Sequence, residues 1–441
     1  MMSTDRFDRE LGIALGDLAD PQVPDYLTDI LGQTADLRQR PAWASIERWL
    51  PMEITTRPIL RPSLPWRQLA LVAALIALVV AAVAFYAGTH QTRLPAPFGP
   101  AANGLIPFVS NDDIYVGDVA SGQSRPLVAG PETDWGPVTS PDGTRVAFAR
   151  GVAGMTLTDM YSVRIDGSDL RRITPEPLDR LEWVAWLPSG DRFVLVHQVG
   201  DPVHGCSTMD CFLTRIDVVD VAGGGHLKTV ASAVGVHGVQ LRPPDGRELT
   251  YRALVDGKWG LFAVDPDGGA ARTIVAPTAL APMDFTFINL SYSPDGRRLF
   301  FNQSTDDASN GDPGCCQLFA VDADGGVPYK VVHSESGVWD GDPVVSPDGR
   351  WVAFWHNIPD QPTQQVAVAA TDGTGDVILT GPALAGGAHW VWSPDSTKIL
   401  MFRNDTDADQ AYLLDPAGGP ATRLPWTSGE DLDWQRVAPP S

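Results

Sequence analysis

The amino-acid sequence predicts an all-β protein: a seven-bladed β-propeller closed by a C-terminal strand and preceded by one transmembrane helix and a short helical N-terminal segment. Three observations carry this prediction. A Ser-Pro-Asp-Gly turn recurs between β-rich segments, a second turn built on Asp and Gly alternates with it, and the C-terminal residues match the beginning of a repeat. Turn chemistry that returns at a fixed period of about 45–55 residues is typical of propellers.

The first turn predicts a hairpin in each repeat. Pro presets φ at the first central position, and Asp and Gly tolerate the conformations that follow. The strict copies are residues 140–143, 293–296 and 346–349, and the looser copies are residues 187–190, 243–246 and 393–396. The Asp side chain of such a turn accepts a hydrogen bond from the backbone N–H two residues on. We therefore give structural roles to Asp142, Asp245, Asp295, Asp348 and Asp395.

The second turn occurs once more often than the first. Its copies are residues 118–122, 165–167, 220–224, 265–269, 322–326, 372–373 and 415–419. Residues 431–440 resemble residues 133–138. If they form the innermost strand of a blade whose other strands lie around residues 104–130, the extra copy of the second turn is explained. A blade shared between both ends of the chain closes the ring and removes open sheet edges. The alternative is a six-bladed ring with one degenerate unit.

These motifs resemble those of the TolB-like, WD-repeat-like β-propellers of bacteria. The resemblance rests on the first turn followed by a strand such as residues 145–149, and on the turn at residues 264–269, and it covers roughly residues 104–441. It implies a propeller fold and a binding or scaffolding role, since members of that family are mostly binding and scaffolding modules. The same fold precedes the catalytic domain of prolyl-oligopeptidase-type peptidases, and the sequence contains no second domain of that kind.

An uncharged apolar stretch, residues 69–87, predicts the transmembrane helix, which we place at residues 68–88. At about 1.5 Å per residue, a helix of this length crosses the ~30 Å core of a bilayer. Trp66, Phe85 and Tyr86 lie at its ends, where interfacial aromatic residues are expected. A buried globular helix is the alternative, and a cleaved signal peptide is disfavoured because such peptides begin near the N-terminus.

Basic residues flank this stretch asymmetrically. Arg93 is the one Arg or Lys between the stretch and Arg125, whereas six arginines lie between residues 38 and 67: Arg38, Arg40, Arg48, Arg57, Arg61 and Arg67. The positive-inside rule therefore predicts a single-pass protein of the cell membrane, with a cytoplasmic N-terminus and an extracytoplasmic propeller. The predicted domains are a cytoplasmic helical segment with a Pro-rich leash at 1–67, the transmembrane helix at 68–88, a linker at 89–103 and the propeller at 104–441.

A small cytoplasmic helical unit, one membrane span and an outer sensor is the layout of many transmembrane anti-sigma factors. Apolar residues recur at helical spacing in residues 1–67, which favours short amphipathic helices there. The common zinc-binding form of the anti-sigma domain uses His and a Cys pair, and residues 1–67 contain neither. The structural alternative is that these helices pack together or lie on the inner membrane surface.

The four cysteines, Cys206, Cys211, Cys315 and Cys316, all lie in the predicted propeller. A core this large does not need disulfides, so cysteines on inserted loops favour an oxidising compartment. We favour a Cys206–Cys211 pair, but all three connectivities stay open. A zinc site that combines His204 with these thiols is the weaker alternative, because the spacing contains no Cys-x-x-Cys pair.

The formal net charge is −22. An acidic surface disfavours nucleic acid and anionic lipid as partners of the propeller. No nucleophile-elbow, Walker or His-Glu-x-x-His motif is present. Residues 405–416 depart from a calcium loop, because Gln410 replaces the required Gly and Pro416 the required Glu. We therefore expect no enzyme, no catalytic residue, no cofactor and no metal site of a known pattern.

The candidate binding residues are polar side chains early in the innermost strands, which line the central channel of a propeller. They are Asp134, Glu182, His237, Asp340, Asp342, His389 and Asp433. Such residues hold a cation, a small ligand or ordered water, and converging acids raise one another's pKa unless a cation neutralises them. The sequence thus predicts a membrane-anchored, extracytoplasmic, non-catalytic scaffold that binds a protein partner or a small ligand. The alternative is a transmembrane signalling receptor or anti-sigma-like regulator with the propeller as its sensor.

Overall fold

The computed structural model describes residues 70–80, 96–152, 157–200, 212–222, 226–277, 290–304, 316–334, 338–357, 363–384, 388–403, 410–426 and 431–438. The chain divides into two compact units, residues 1–90 and 91–441. In the first unit the described residues form one helix, residues 70–80, and every residue of it is exposed. Within the described part of the chain, no helix combines the length and the apolar character that a membrane crossing requires.

Several predictions concern residues outside these ranges. The helices predicted within residues 1–67 are among them, as is the remainder of the predicted span at 68–88. Cys206, Cys211 and Cys315 also lie outside the described residues, and of Cys316 only the backbone is described. The disulfide and zinc hypotheses therefore stay predictions.

The second unit is built from antiparallel strands. In chain order they are β1 (Ala102–Asn103), β2 (Ile106–Ser110), β3 (Asp113–Asp118), β4 (Gln123–Val128), β5 (Asp134–Thr139), β6 (Arg145–Gly151), β7 (Leu157–Arg164), β8 (Arg171–Arg172), β9 (Leu178–Asp179), β10 (Leu181–Trp186), β11 (Arg192–Val199), β12 (Leu213–Asp220), β13 (Lys228–Leu241), β14 (Leu249–Val255), β15 (Lys258–Val264), β16 (Arg272–Val275), β17 (Ser291–Tyr292), β18 (Arg298–Ser304), β19 (Cys316–Asp322), β20 (Tyr329–Lys330), β21 (Trp339–Val345), β22 (Trp351–Asn357), β23 (Gln364–Ala370), β24 (Ile378–Leu384), β25 (Ala388–Trp392), β26 (Ile399–Arg403), β27 (Gln410–Leu414), β28 (Thr422–Arg423) and β29 (Arg436–Val437).

Consecutive strands pair in small meandering sheets. The sheet orders are β2-β3-β4, β5-β6-β7-β8 with β9 on β7, β10 through β16, β17 through β20, β21 through β24, β25 through β28, and β1-β29. The β10–β16 sheet contains two repeats, because β13 pairs first with β12 and then with β14. Gly235 and Gly238 adopt φ values of 64° and 57° at this change of partner, so β13 ends one repeat and begins the next.

The C-terminal residues join the first sheet. β29 pairs with β1, Leu432 bridges Phe108, and the Asp433 N–H donates to the Pro107 carbonyl at 3.0 Å. The Gln435 N–H likewise donates to the Leu105 carbonyl at 2.9 Å. The prediction that the chain's tail lies beside the strands near residue 110 is confirmed, and the first and last residues of the ring are held together.

The hydrophobic core lies between neighbouring sheets. The second strand of a repeat carries a fully buried Phe in five cases: Phe148, Phe193, Phe300, Phe354 and Phe402. The side chains of a strand point alternately to its two faces, so each sheet packs on both the preceding and the following one. The pair Phe300 and Phe354, for example, joins β18 to β22 in one cluster.

Candidate functional site

The two faces of the ring are built from different connections. Because consecutive strands are antiparallel, connections alternate between the faces. The Ser-Pro-Asp-Gly turns join each first strand to the second, and we call the side that carries them the turn face. The opposite side, called the loop face, carries the connections from second to third strands, such as residues 256–257 between β14 and β15.

Each Ser-Pro-Asp-Gly turn is held by its own side chains. The Ser293 hydroxyl donates to Asp295 at 2.6 Å, and Asp295 accepts from the Arg297 N–H at 3.1 Å. The same bonds recur in the turns at Ser140, Ser346 and Ser393. Burial raises the pKa of Asp295, but the hydrogen bonds outweigh it and the net pKa lies below the ordinary value. The structural role predicted for these aspartates is confirmed.

The turns also pack on one another around the ring. Gly246 has a φ of +67°, and a Cβ at this position would collide with the Pro188 ring of the preceding turn. Gly349 has a φ of +74°, and a Cβ there would lie 3.0 Å from Pro294. Glycine is therefore required at both positions for two reasons: the backbone has a positive φ, and the neighbouring proline leaves no room for a Cβ. The first turns of neighbouring repeats therefore pack against one another on the turn face.

A strap formed by residues 96–103 crosses the turn face. The Ala101 N–H donates to the Pro394 carbonyl at 2.9 Å, which holds the strap on the β25–β28 sheet. Phe98 packs against the cluster that contains Leu187, directly after β10, and Leu241 in β13, so this end of the strap lies on the β10–β16 sheet. These two sheets are not neighbours in the ring, since β17–β20 and β21–β24 lie between them. The strap covers the turn face from one side of the ring to the other.

The candidate residues predicted from the sequence lie on the first strands of their repeats. Asp134 begins β5, and the others are Glu182 in β10, His237 in β13, Asp340 and Asp342 in β21, His389 in β25, and Asp433 beside β2. The six on β5, β10, β13, β21 and β25 precede the turn of their repeat and so lie toward the loop face. Asp433 contacts Thr139, the last residue of β5, and so lies nearer the turn face.

Asp134 forms a buried ion pair. Its carboxylate accepts two hydrogen bonds from Arg150, both at 2.7 Å, and the residue is 1% exposed. The guanidinium lies over the Tyr161 ring, 4.9 Å from the centroid. Burial raises the pKa of Asp134, while the hydrogen bonds from Arg150 oppose the rise. This carboxylate is paired across the first and second strands of its sheet.

Asp340 is tied in a similar way. His356 on the second strand contacts Asp340 through Nδ1 at 2.8 Å, and the Ser334 hydroxyl donates to the other carboxylate oxygen. Glu182 accepts from the amide of Gln198. Each of these acids bonds to a polar side chain on the second strand of its own repeat, so part of the predicted set holds strands together.

The remaining candidates have other surroundings. Asp433 accepts from the Thr139 N–H at 2.7 Å and from its hydroxyl at 2.6 Å. The His237 ring lies 6.3 Å from that of Trp259. Asp342 has a φ of 53°, and His389 is exposed. Among the residues that the structure describes, no group of three or more His, Cys, Asp or Glu is placed to hold a metal ion. A ligand role for the set stays a prediction.

Two kinds of residue were missed by sequence reasoning. The first is a polar residue near the end of the second strands, such as Arg150, His197 and His356; His197 contacts Asp217 at 2.7 Å in a buried pair. The signal was a polar residue that directly follows an apolar run within the strand. The second is a tryptophan adjacent to a candidate residue on the first strand. Trp135, Trp183, Trp339 and Trp390 fit this pattern and are partly exposed.

No family model matches the sequence, and no curated protein matches it. Solved structures do. TolB from Acinetobacter baumannii is 16% identical, with 75% of this chain and 81% of that chain covered and a TM-score of 0.47. The β-propeller domain of the Trilobed protease from Pyrococcus furiosus is 11% identical, with 76% and 97% covered and a TM-score of 0.50. Oligogalacturonate lyase in complex with manganese is 14% identical, with 76% and 85% covered and a TM-score of 0.51.

The fold is a β-propeller. At these identities the likeness concerns the fold alone, and it corrects one expectation. The sequence led us to expect that this protein is not an enzyme. As an inference from the fold that expectation was wrong, because the matched propellers include a protease domain and a lyase. Prolyl endopeptidases match as well, with a TM-score of 0.51 and 50% of that chain covered. The propeller architecture occurs in enzymes and does not exclude catalysis.

Proposed function

We propose that this protein is a membrane-anchored propeller whose loop face binds a protein partner or a small ligand. One observation carries the proposal: the two faces of the ring are unequal. The turn face carries first turns that pack against one another and is crossed by the strap of residues 96–103. Six of the seven candidate polar residues and the partly exposed tryptophans lie toward the loop face. Loops on a rigid scaffold are where binding residues concentrate.

We propose seven blades. Six repeats carry their own first turn, and β2, β3 and β4 obtain an inner strand from residues 431–437. Counting β13 in two successive repeats supports this number, because its two halves pair with different partners. A ring of this kind is sealed by one shared blade.

We propose that residues 68–88 anchor the protein, with a cytoplasmic N-terminus and an extracytoplasmic propeller. The support is the apolar sequence with its asymmetric arginines, and the helix at residues 70–80. Large apolar side chains on that helix are uncovered, with Leu71, Leu75 and Leu78 at 71%, 67% and 69% exposure. Exposed apolar side chains on a helix suit a lipid environment.

The test of the binding face uses a photoreactive amino acid in the full-length protein in its own membrane. His389 is exposed and lies toward the loop face, and Arg297 lies on the turn face with 85% of its side chain exposed. We expect crosslinked products from position 389 and none from position 297. Products from position 297 alone would place the binding surface on the turn face and overturn the proposal.

A catalytic role is tested in the same preparation. If the purified protein turned over a peptide or an oligosaccharide and gave no crosslinked product at position 389, the protein would be an enzyme and the proposed binding role would be wrong. The signalling alternative predicts that deletion of residues 1–60 changes gene expression while the propeller still binds. An unchanged transcript profile after that deletion would exclude it.

A further inference from the structure

A buried carboxamide lies unpaired between two neighbouring sheets. Asn302 in β18 is 2% exposed, and neither its Oδ1 nor its Nδ2 has a hydrogen-bond partner. Its place in the repeat is defined by the first turn, because the Ser293 N–H donates to the Arg298 carbonyl and Asn302 follows Arg298 by four residues. Buried polar groups are almost always paired, since an unpaired one destabilises the folded state. The carboxamide therefore requires an explanation.

The corresponding position is apolar in most other repeats. Each first turn is closed by a backbone bond to a residue near the start of the second strand, as with the Ser140 N–H and the Arg145 carbonyl. The residues four positions further on can be compared between repeats. They are Ala149, Val196, Arg252, Trp355 and Phe402. Four of these five are apolar, so the fold of the repeat does not require a carboxamide at this place.

A histidine on the next sheet faces Asn302. Phe300 and Phe354 belong to one cluster between the two sheets, and side chains two residues apart on a strand lie on the same face. Asn302 follows Phe300 by two residues and therefore points into this interface. His356 follows Phe354 by two residues and points into it from the other side. Both lie one step nearer the loop face than the two phenylalanines.

The imidazole of His356 is oriented by a buried carboxylate. Its Nδ1 contacts Asp340 at 2.8 Å, and the fully buried Asp340 also accepts from the Ser334 hydroxyl. Among the described residues none bonds to Nε2, the other ring nitrogen. The His356 side chain is 14% exposed, so it reaches solvent at the loop face. A carboxylate that fixes one ring nitrogen leaves the other to bind a ligand.

The chemistry of these groups suits a neutral ligand with hydroxyl groups. The Asn302 carboxamide has both an acceptor and donors, and Nε2 of His356 donates or accepts according to the tautomer. A hydroxyl group donates and accepts at once, so one hydroxyl can bridge the two side chains. The buried carboxylate of Asp340 disfavours an anion. In the part of the chain that the structure describes, no three His, Cys, Asp or Glu residues are arranged for a metal ion.

We infer that Asn302 and His356 form a binding site for a sugar, with one hydroxyl of the ligand placed between the sheets β17–β20 and β21–β24. The inference rests on the proposed function, because the site lies at the loop-face ends of these sheets. It names the small ligand of that face as a neutral carbohydrate. The carboxamide is retained for the ligand although it lowers the stability of the protein, a relation that is common at binding sites.

The experiment measures thermal unfolding of the full-length protein, with glucose, galactose and mannose as probes. Binding to the folded state raises the melting temperature in proportion to the occupancy of the site. We expect one of these sugars to give a saturable rise in the unmodified protein, and none to give it in Asn302→Val. Without sugar, Asn302→Val should melt at a higher temperature than the unmodified protein, because valine removes an unpaired polar group and is the residue found at position 196 of another repeat.

The matched control is Thr214→Val. Thr214 lies in β12, in a different sheet, and its Oγ1 is also buried without a hydrogen-bond partner. This variant should likewise melt at a higher temperature, and it should keep the response to sugar. The inference is overturned if no sugar gives a saturable rise, if Asn302→Val keeps the rise, or if both variants lose it. A lower melting temperature of Asn302→Val without sugar would overturn it as well, because the carboxamide would then be paired.

The proposed function is judged by a separate result. A protein partner crosslinked at position 389, without any response to sugar, would leave the loop-face proposal in place and overturn the sugar site alone. A response to sugar that is lost in Asn302→Val, with products crosslinked from position 297 alone, would support the sugar site and show that a protein partner binds the other face.

Discussion

The buried pair of Asp134 and Arg150 allows a prediction that distinguishes the effect of leaving one charge unpaired from the effect of removing both charges. The side chains are 1% and 15% exposed, and two hydrogen bonds of 2.7 Å join them. In the Asp134→Ala variant the guanidinium stays within the sheet interface without its carboxylate. We expect a strongly destabilised protein, because an uncompensated charge is left in a site from which water is excluded.

The magnitude follows from the burial of the pair. Breaking a buried ion pair on one side costs about 3–5 kcal/mol of unfolding free energy, and replacing both partners by apolar groups is often neutral. The double variant Asp134→Leu with Arg150→Met should therefore recover most of the loss. An exposed pair provides the control. Arg192 and Asp267 are 33% and 70% exposed, so Asp267→Ala should cost about 1 kcal/mol or less.

Urea denaturation followed by tryptophan fluorescence measures these differences as shifts of the midpoint at constant slope. A cost below about 1 kcal/mol for Asp134→Ala, equal to that of Asp267→Ala, would refute the reasoning. So would a double variant as unstable as the single one, because the loss would then come from packing and not from the unpaired guanidinium.

Two further predictions concern the turns and the response to acid. In thermal melts, Gly246→Ala should lower the melting temperature more than Gly190→Ala. Both glycines have a positive φ, but only Gly246 packs against Pro188, so a Cβ there adds about 1–3 kcal/mol of overpacking. Equal shifts would show that backbone strain alone lowers the melting temperature. Hydrogen bonds from Arg272 lower the pKa of Glu248 from 4.5 to about 2, so its stabilisation is present above pH 4.5 and is lost as the pH falls toward 2. Glu248→Gln should then melt well below the unmodified protein at pH 7 and nearly with it at pH 2, and an equal difference at both pH values would contradict this.

The repeat and its turns were predictable because each is a local property. Asp295 accepts from the backbone two residues on, and Ser293 donates to it, so the turn is specified within a few residues. Pairing of residues 431–437 with the first sheet was also predictable, since those residues repeat the pattern before the first turn. The merging of two repeats through β13 was not, because it depends on Gly235 and Gly238 near its middle.

The candidate residues lie on first strands or, for Asp433, beside β2, but their surroundings were not predictable. Asp134 and Asp340 are bonded to Arg150 and His356, which lie sixteen residues further along the chain in each case. A sequence pattern shows that a strand contains an acid, and the partner depends on strand register. The expectation of a non-enzymatic protein was wrong for a related reason, since a fold does not determine which chemistry a protein performs.

By itself the sequence determined that this chain folds into repeated four-stranded units with recurring turns, because turn geometry and the alternation of apolar residues act over a few residues. Tertiary structure alone decided which face of the ring is covered. The strap binds to Pro394, Arg436 and the cluster around Leu187, residues that are far apart in the chain and that only closure of the ring brings together. Contacts of that kind depend on the position of whole sheets, which no local pattern encodes.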